Sequence, residues 1–337
     1  MISIGIIGCG YWGRNYVRLF DELPRSELLR CADFDSEKLT ALKQKYPLVD
    51  TSTSFDEILV DDRIDAVVIC TPASTHFEVA RKCLDAGKSV LVEKPITTTS
   101  QDAAALVELA KANGVVLMVG HTFLYNDAIV TMKEYMQGDG FGRVYYLHAR
   151  RNHLGPIRED VSAVWDLAPH DVSIFRYLLD AEPLSVSALG GCFLKDDRAD
   201  VSFINLTFPG NVVANIQASW VDSNKIREVV AIGSKMRIVF NDLDNLEKIR
   251  IFKKGISPQR DITGFGEFQY LLRDGEIVSP KLELREPLMT LCNHFLDCIE
   301  SGEKPLSDGE DGRAIVAVLE AIEESMQQGG APVQLGA

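Results

Sequence analysis

The sequence predicts two successive α/β parts. The first is a doubly wound parallel sheet; the second is an α+β domain with an open, mostly antiparallel sheet and helices on one face. Three observations carry this expectation. Strand and helix signals alternate from Ile2 to about Val119, which implies parallel strands joined by helical crossovers. After Gly120 the alternation stops, and strand signals follow one another. Tight-turn residues, Pro209-Gly210-Asn211 and Gly233-Ser234, separate several of those later strands.

Each element has a local reason. Ile2–Ile7 is a short apolar strand that runs into glycines. A helix follows, with Tyr16, Val17, Phe20 and Leu23 at helical spacing. Leu28–Asp33 reads as the next strand, and Ser36 as the cap of a helix that Pro47 closes. Asp65–Cys70 is a continuously apolar, buried strand. A helix from about Thr75 ends at Gly87. Ser89–Glu93 is a strand, Ser100 caps a helix ending at Gly114, and Val115–Val119 is the last strand of the set. In the second part, helices are expected over Ala128–Gln137 and from Asp166 to Leu179. Strands are expected near Arg143–Arg151, Leu184–Phe193, Val201–Phe208, Val212–Trp220, Arg227–Ile232, Lys235–Asn241 and Lys248–Phe252. Two helices close the chain, the first with the stripe Leu288, Leu291, Phe295 and Ile299, the second over Ala314 to Ile322. The acidic stretch Ser307–Asp311 reads as a solvated loop. The expected boundary puts residues 1–120 in the first domain and 121–337 in the second.

Composition narrows the function. Of 337 residues, 46% are hydrophobic and 25% charged, close to the globular average and unlike disordered or membrane chains. A formal net charge of -14 repels phosphate backbones, so nucleic acid is a poor partner. Seven cysteines with no C-x-x-C pair argue against a disulfide framework or structural zinc and fit a reducing, cytoplasmic compartment. The N-terminal apolar run lacks a basic leader and stops at glycines, so it reads as a strand rather than a signal peptide. No apolar run is long enough to span a bilayer.

The chemistry starts at Gly8-Cys9-Gly10-Tyr11-Trp12-Gly13, set between an expected strand and an expected helix. That context turns a plain glycine-rich turn into a dinucleotide fingerprint of the Rossmann type. Gly8 permits the tight turn, Gly10 lets the backbone approach a pyrophosphate, and Gly13 allows close helix–strand packing. The helix N-terminus offers N–H groups to the phosphates. Asp33, at the end of the second strand, lies at the distance expected for a ribose-binding carboxylate. It would repel a 2′-phosphate, which favours NAD over NADP. Asp33 also reads as an ordinary strand-end turn residue, and Asp35 competes for the ribose role.

Two further segments carry a family resemblance. One is Thr71-Pro72-Ala73-Ser74-Thr75-His76; the other ends in Glu93-Lys94-Pro95. With the glycine loop they resemble the glucose–fructose oxidoreductase / inositol dehydrogenase / MocA family (Gfo/Idh/MocA). The resemblance extends through Gly120-His121-Thr122-Phe123-Leu124-Tyr125-Asn126 and Trp165-Asp166-Leu167-Ala168-Pro169-His170-Asp171. It implies a hydride transfer between NAD and a secondary alcohol or ketone of a sugar-like substrate. Thr71, Pro72 and His76 would lie near the adenosine side of the cofactor, and Glu93 would contact the nicotinamide ribose. Lys94 would reach both the nicotinamide end and the substrate hydroxyl, with Pro95 following a cis peptide. Asp166 and His170 match the family's Asp-x-x-x-His pair. Tyr11 and Trp12 within the loop, and Leu154-Gly155-Pro156-Ile157-Arg158, look like the nucleotide-sugar 3-dehydrogenase-like branch. Inositol oxidation, NAD-dependent glycoside hydrolysis and a non-enzymatic dinucleotide-sensing role are the alternatives that the same family contains. Relatives cover the second sheet by oligomerising, so a homodimer or homotetramer is implied, with substrate held between the domains.

Elementary chemistry bears on the pair independently. Residues four apart on a helix share a face, so Asp166 and His170 do so. Asp166 reads as the N-cap, Pro169 as a first-turn proline, and the helix start as an environment that keeps His170 neutral. The residues alone are equally those of a capping Asp beside a surface His. Asn152 and Arg158 fall where substrate is expected; Arg158 is equally a partner for phosphate or carboxylate and a solvated charge. His121, His148, His153 and His294 lack ligand spacing, so no metal site is expected.

Overall fold

The structure, a computed structural model, describes residues 1–155, 157–258, 270–283 and 285–336. Pro156, part of one motif above, lies outside the described residues. The chain divides into two compact units, Met1–Tyr125 with Arg285–Ala317, and Asn126–Leu284 with Val318–Ala337.

The first unit begins β1 (Ile2–Ile7), α1 (Tyr11–Glu22), β2 (Ser26–Ala32), α2 (Ser36–Lys45), β3 (Asp50–Ser52) and α3 (Asp56–Leu59). It continues β4 (Ala66–Ile69), α4 (His76–Asp85), β5 (Ser89–Val92), α5 (Ser100–Asn113) and β6 (Leu117–Val119). All six strands are parallel, in the order β3-β2-β1-β4-β5-β6. That order reverses direction between β1 and β4, the switch point at which open α/β sheets bind ligands. The central strands are apolar on both faces: Val67, Val68, Val90 and Leu91 are fully buried.

The second unit contains α6 (Asp127–Gln137), β7 (Val144–Leu154), α7 (Ala163–Leu179), β8 (Ser185–Gly191), β9 (Val201–Phe208), β10 (Val212–Ser219) and β11 (Val221–Gly233). Then come β12 (Arg237–Asn241), β13 (Ile249–Phe252), the ribbon β14 (Gly255–Pro258) and β15 (Tyr270–Arg273), and β16 (Ile277–Val278). Helix α8 (Pro287–Ser301) and the first part of α9 (Gly309–Gln327) belong to the first unit, while the rest of α9 and the edge strand β17 (Val333–Gln334) belong to the second. The main sheet has nine strands, β16-β13-β12-β11-β7-β10-β9-β8-β17. It is antiparallel except for the central β10–β7 pair. Side chains alternate along β9 and β10, with Ile204, Leu206, Ala214 and Ile216 buried and Phe203 and Val213 exposed on the opposite face.

Several expectations shift. The helix over 287–301 returns to the first unit, so a single cut after residue 120 does not describe the division. Ion pairs from Arg18 to Glu286 and from Arg25 to Asp297 and Glu300 accompany that return. Ser307–Asp311 is not a solvated loop. Ser307 is buried and exchanges bonds with the Val119 backbone, Asp308 bridges to Met118, and α9 starts at Gly309. Caps move by one residue: Asp35, not Ser36, accepts from Glu37 and Lys38 N–H, and Thr99, not Ser100, accepts from Asp102 N–H. In each case the true cap sits at the position whose side-chain oxygen reaches the second or third helical N–H. Helix α7 starts three residues earlier than expected, with Ser162 as its N-cap. Asp166 is therefore inside the helix, and Pro169 is an interior proline rather than a first-turn one. His170 sits two turns in, beyond the range of the helix terminus, so the expected influence of the helix start on it does not apply.

Candidate active site

In the first unit the fingerprint residues cluster at the carboxyl ends of the parallel strands. Gly8 follows β1 at φ 93°, and a Cβ there would lie 2.7 Å from the Cys70 backbone. A Cβ on Gly13 would lie 1.9 Å from the Gly8 carbonyl oxygen. Both glycines are thus required by the protein's own packing. Gly10 differs, since a Cβ there would meet no atom of the described residues within 4 Å. It caps α1 with no side-chain bond, leaving the first N–H groups of α1 without a side-chain cap. This open, glycine-lined helix start fits a pyrophosphate. Tyr11 is 75% and Trp12 44% exposed beside it, packed edge to face.

Asp33 is tied to the same loop: its Oδ2 accepts from Cys9 N–H at 2.7 Å and its Oδ1 from Asp35 N–H at 2.9 Å. A carboxylate has about four acceptor positions, so capacity remains for ribose hydroxyls. Lys38 Nζ lies 3.5 Å from Asp33 Oδ1. The Asp35 side chain instead caps α2, accepting from Glu37 and Lys38 N–H.

Glu93-Lys94-Pro95 follows β5, and the Lys94–Pro95 bond is cis. Glu93 and Lys94 are both 8% exposed. Glu93 Oε1 accepts from the Tyr16 hydroxyl at 2.9 Å and Oε2 from Lys94 N–H at 3.2 Å. Burial, and then the neighbouring Glu93 carboxylate, push the Tyr16 phenol well above its ordinary range. His76 is 1% exposed, and its ring nitrogens face the carbonyls of Pro95 at 2.7 Å and Thr71 at 2.9 Å. It therefore fastens the Thr71-Pro72 turn to the Lys94-Pro95 turn.

The second unit holds the other predicted residues. Asp166 and His170 lie one turn apart on α7. Asp166 Oδ2 accepts from the Trp220 indole N–H at 3.3 Å, and Arg158 Nη1 reaches Oδ1 at 3.4 Å. Arg158 is also bound through Nε and Nη2 to Asp160 at 2.9 and 2.5 Å, so it is a paired cation, not a solvated one. Trp220 packs in a buried cluster with Ala163, Leu167 and Ala218, which seats α7 on β10. Asn152, 1% exposed, donates to Asp222 at 3.0 Å while its Oδ1 carries no bond. His153 is held below the ordinary imidazole range by burial.

Neither the Tyr16–Glu93 bond nor the Arg151–Asp171 pair leaves a local sequence signal. Asp171 directly follows His170, but only the fold brings Arg151 to it. Among the described residues, no group of three or more His, Cys, Asp or Glu is placed to hold a metal ion, and no helix is long and apolar enough to cross a membrane. All seven cysteines are free thiols.

The parallel order, the fingerprint glycines and the Asp33 carboxylate at the end of β2 are the features of a dinucleotide-binding fold. Residues 2–121 match the oxidoreductase family with an NAD-binding Rossmann fold, and residues 129–239 match the GFO/IDH/MocA C-terminal domain. The chain belongs to the Gfo/Idh/MocA family and is an oxidoreductase. It is 31% identical to a UDP-N-acetylglucosamine 3-dehydrogenase of Acidithiobacillus ferrooxidans, across 96% of this chain and 98% of that protein. It is 27% identical to a scyllo-inositol 2-dehydrogenase (NAD(+)) of Bacillus subtilis, across 99% and 96%. A solved structure of the Acidithiobacillus enzyme superposes with a TM-score of 0.81 at 28% identity, covering 97% of this chain and 99% of that one. The fold is also that of GenD2 from gentamicin A biosynthesis, solved with NAD, at a TM-score of 0.84, 24% identity and coverage of 100% and 97%.

Proposed function

We propose that this chain is an NAD-dependent dehydrogenase acting on a secondary alcohol of a nucleotide sugar, of the UDP-N-acetylhexosamine 3-dehydrogenase type. The observation that carries the substrate class is the match to the Acidithiobacillus enzyme over nearly the full length of both chains. The nicotinamide, when bound, supplies the hydride acceptor. The chain's residues do the rest. Lys94 donates to the substrate hydroxyl and stabilises the alkoxide as it develops. His170 accepts the hydroxyl proton. Asp166 orients His170 or a sugar hydroxyl. The N–H groups at the start of α1 hold the pyrophosphate, with Tyr11 and Trp12 alongside. Asp33 accepts from the adenosine ribose hydroxyls and repels a 2′-phosphate, which favours NAD. Glu93 holds the nicotinamide ribose, with Thr71 and Pro72 on the adenosine side. Asn152 and Arg158 are the substrate-side polar groups.

Lys94→Ala and His170→Ala should each lower turnover about 100-fold or more while NADH binding, read by fluorescence, persists. Normal turnover by Lys94→Ala on an alcohol that the native enzyme oxidises would sink the assignment. The double variant should be far less than additive, because the two groups serve one proton transfer.

The match to scyllo-inositol 2-dehydrogenase supports a second reading, inositol oxidation. A thermal-shift comparison with NAD present separates the two. UDP-N-acetylglucosamine should stabilise the protein at low concentration and scyllo-inositol should not. Tyr146, Leu189, Phe203 and Val213 are each 44 to 58% exposed on one face of the nine-stranded sheet. Such a face supports a homodimer or homotetramer, which light scattering would resolve.

A further inference from the structure

The helix that carries Asp166 and His170 is weakened where His170 sits. Pro169 has no N–H to give to the Trp165 carbonyl, so the hydrogen-bond ladder of α7 loses a rung one residue before His170. An interior proline destabilises a helix and tends to kink it. Two side-chain contacts hold the same turn. Ser173 donates its hydroxyl to the His170 carbonyl at 2.8 Å. Arg151 on β7 makes a bidentate pair with Asp171, Nε to Oδ2 at 2.9 Å and Nη2 to Oδ1 at 2.7 Å.

The pair is deeply buried, with side chains 4% and 1% exposed. Burying two charges carries a large desolvation cost, and apolar residues of similar volume often serve stability as well or better. Stability alone is therefore a weak reason for an Arg–Asp pair here. Geometry is a stronger one. A guanidinium fork fixes both the distance and the rotation of the carboxylate that it grips. Asp171 is covalently next to His170, so fixing its rotation about the helix axis fixes the direction in which His170 projects. Residue Arg151 is itself fixed, because β7 is paired on both sides, with Ala218 opposite in β10 and Arg227 opposite in β11.

We infer that Arg151 and Asp171 are positioning residues for the reaction: the pair clamps the proline-weakened turn of α7 to the central strand β7 and thereby aims His170. The inference rests on the reading of His170 as proton acceptor. A misplacement of about 1 Å at a reacting group can cost about 100-fold in rate, so the effect should appear in turnover rather than in binding.

The test replaces the pair without stranding a charge, as Arg151→Met/Asp171→Leu in the full chain. His170→Ala runs in parallel on whichever of UDP-N-acetylglucosamine or scyllo-inositol the native enzyme oxidises. The expected result is a folded protein with native NADH affinity, a KM within about threefold of native and a kcat reduced about 10- to 100-fold. Arg151→Lys keeps the charge but not the fork and should recover only part of the loss. Native kcat in the double variant, with His170→Ala inactive, overturns the positioning role and leaves the proposed function standing. A loss that appears in KM or NADH affinity rather than kcat also overturns it. If the double variant does not fold, Arg151→Lys decides: lowered kcat at unchanged KM supports the clamp, and native kcat overturns it. An active His170→Ala, or a native enzyme inert toward both alcohols, removes the proposed function and this inference with it.

Discussion

Helices α1 and α7 carry the two halves of the proposed chemistry in opposite ways. Helix α1 begins at Gly10, with no side-chain cap and open space where a Cβ would be. In the proposed function it offers its backbone to the dinucleotide. Helix α7 begins at Ser162, whose side chain accepts from Trp165 N–H, and places its functional side chains one and two turns further in. It offers side chains, held by other side chains: Trp220 and Arg158 on Asp166, Arg151 on Asp171, Ser173 on the His170 carbonyl. In the proposed chemistry one helix uses its end; the other has its end closed and uses its flank.

The largest test of that contrast lies within the glycine loop. Gly13→Ala places a methyl 1.9 Å from the Gly8 carbonyl oxygen, a backbone atom that cannot give way cheaply. We expect a stability loss of about 3 kcal/mol or failure to fold, read by thermal unfolding. Gly10→Ala meets no atom of the described residues within 4 Å. Its stability should change by less than about 0.5 kcal/mol. NADH affinity should nevertheless fall at least about tenfold, or about 1.4 kcal/mol, because the methyl occupies the space left for the pyrophosphate. Unchanged NADH affinity in Gly10→Ala would mean that the open end of α1 is not where the dinucleotide sits.

The same contrast explains what the sequence could reveal. A site built from backbone leaves a spacing of glycines, and Gly8, Gly10 and Gly13 were readable without any structure. Asp33 was readable from its place at a strand end, but its bond to Cys9 N–H was not, because nothing local ties residues 24 apart. A site built from side chains on a helix flank leaves only Asp166 and His170 four apart, which capping chemistry explains equally well. The resemblance to a family singled them out. Ser162 and Asp166 both suit an N-terminus, and nothing in the local sequence says which one caps α7. Likewise the stripe Leu288–Phe295 marks α8 as amphipathic without saying which unit it covers. The parallel β10–β7 pair could not be seen at all, since alternation of buried and exposed residues is the same in either direction.

A smaller effect separates the partners of Asp166. Asp166→Asn keeps the shape but removes the charge facing Arg158 and the Trp220 indole. Turnover should fall about tenfold with NADH affinity unchanged, the loss expected of an orienting carboxylate. Arg158→Met should instead raise KM for a nucleotide sugar more than it lowers kcat, because a guanidinium serves phosphate binding. Equal effects on kcat from both variants would show that the ion pair, rather than Asp166 alone, is the functional unit.

The smallest expected effect belongs to the α7 cap. The Ser162 hydroxyl accepts from Trp165 N–H at 3.5 Å, a long bond. Ser162→Ala should therefore cost about 0.5 kcal/mol, the low end for cap removal. Turnover should hold at the native value. The reason is the distance along the helix: His170 lies two turns beyond the cap, on the far side of the rung that Pro169 removes, and Arg151 and Ser173 hold its turn directly. Fraying at Ser162 would have to cross that break to reach His170. A tenfold loss of turnover in Ser162→Ala with little change in thermal stability would show that the helix start, and not its flank, sets the base, and the distinction between α1 and α7 would collapse.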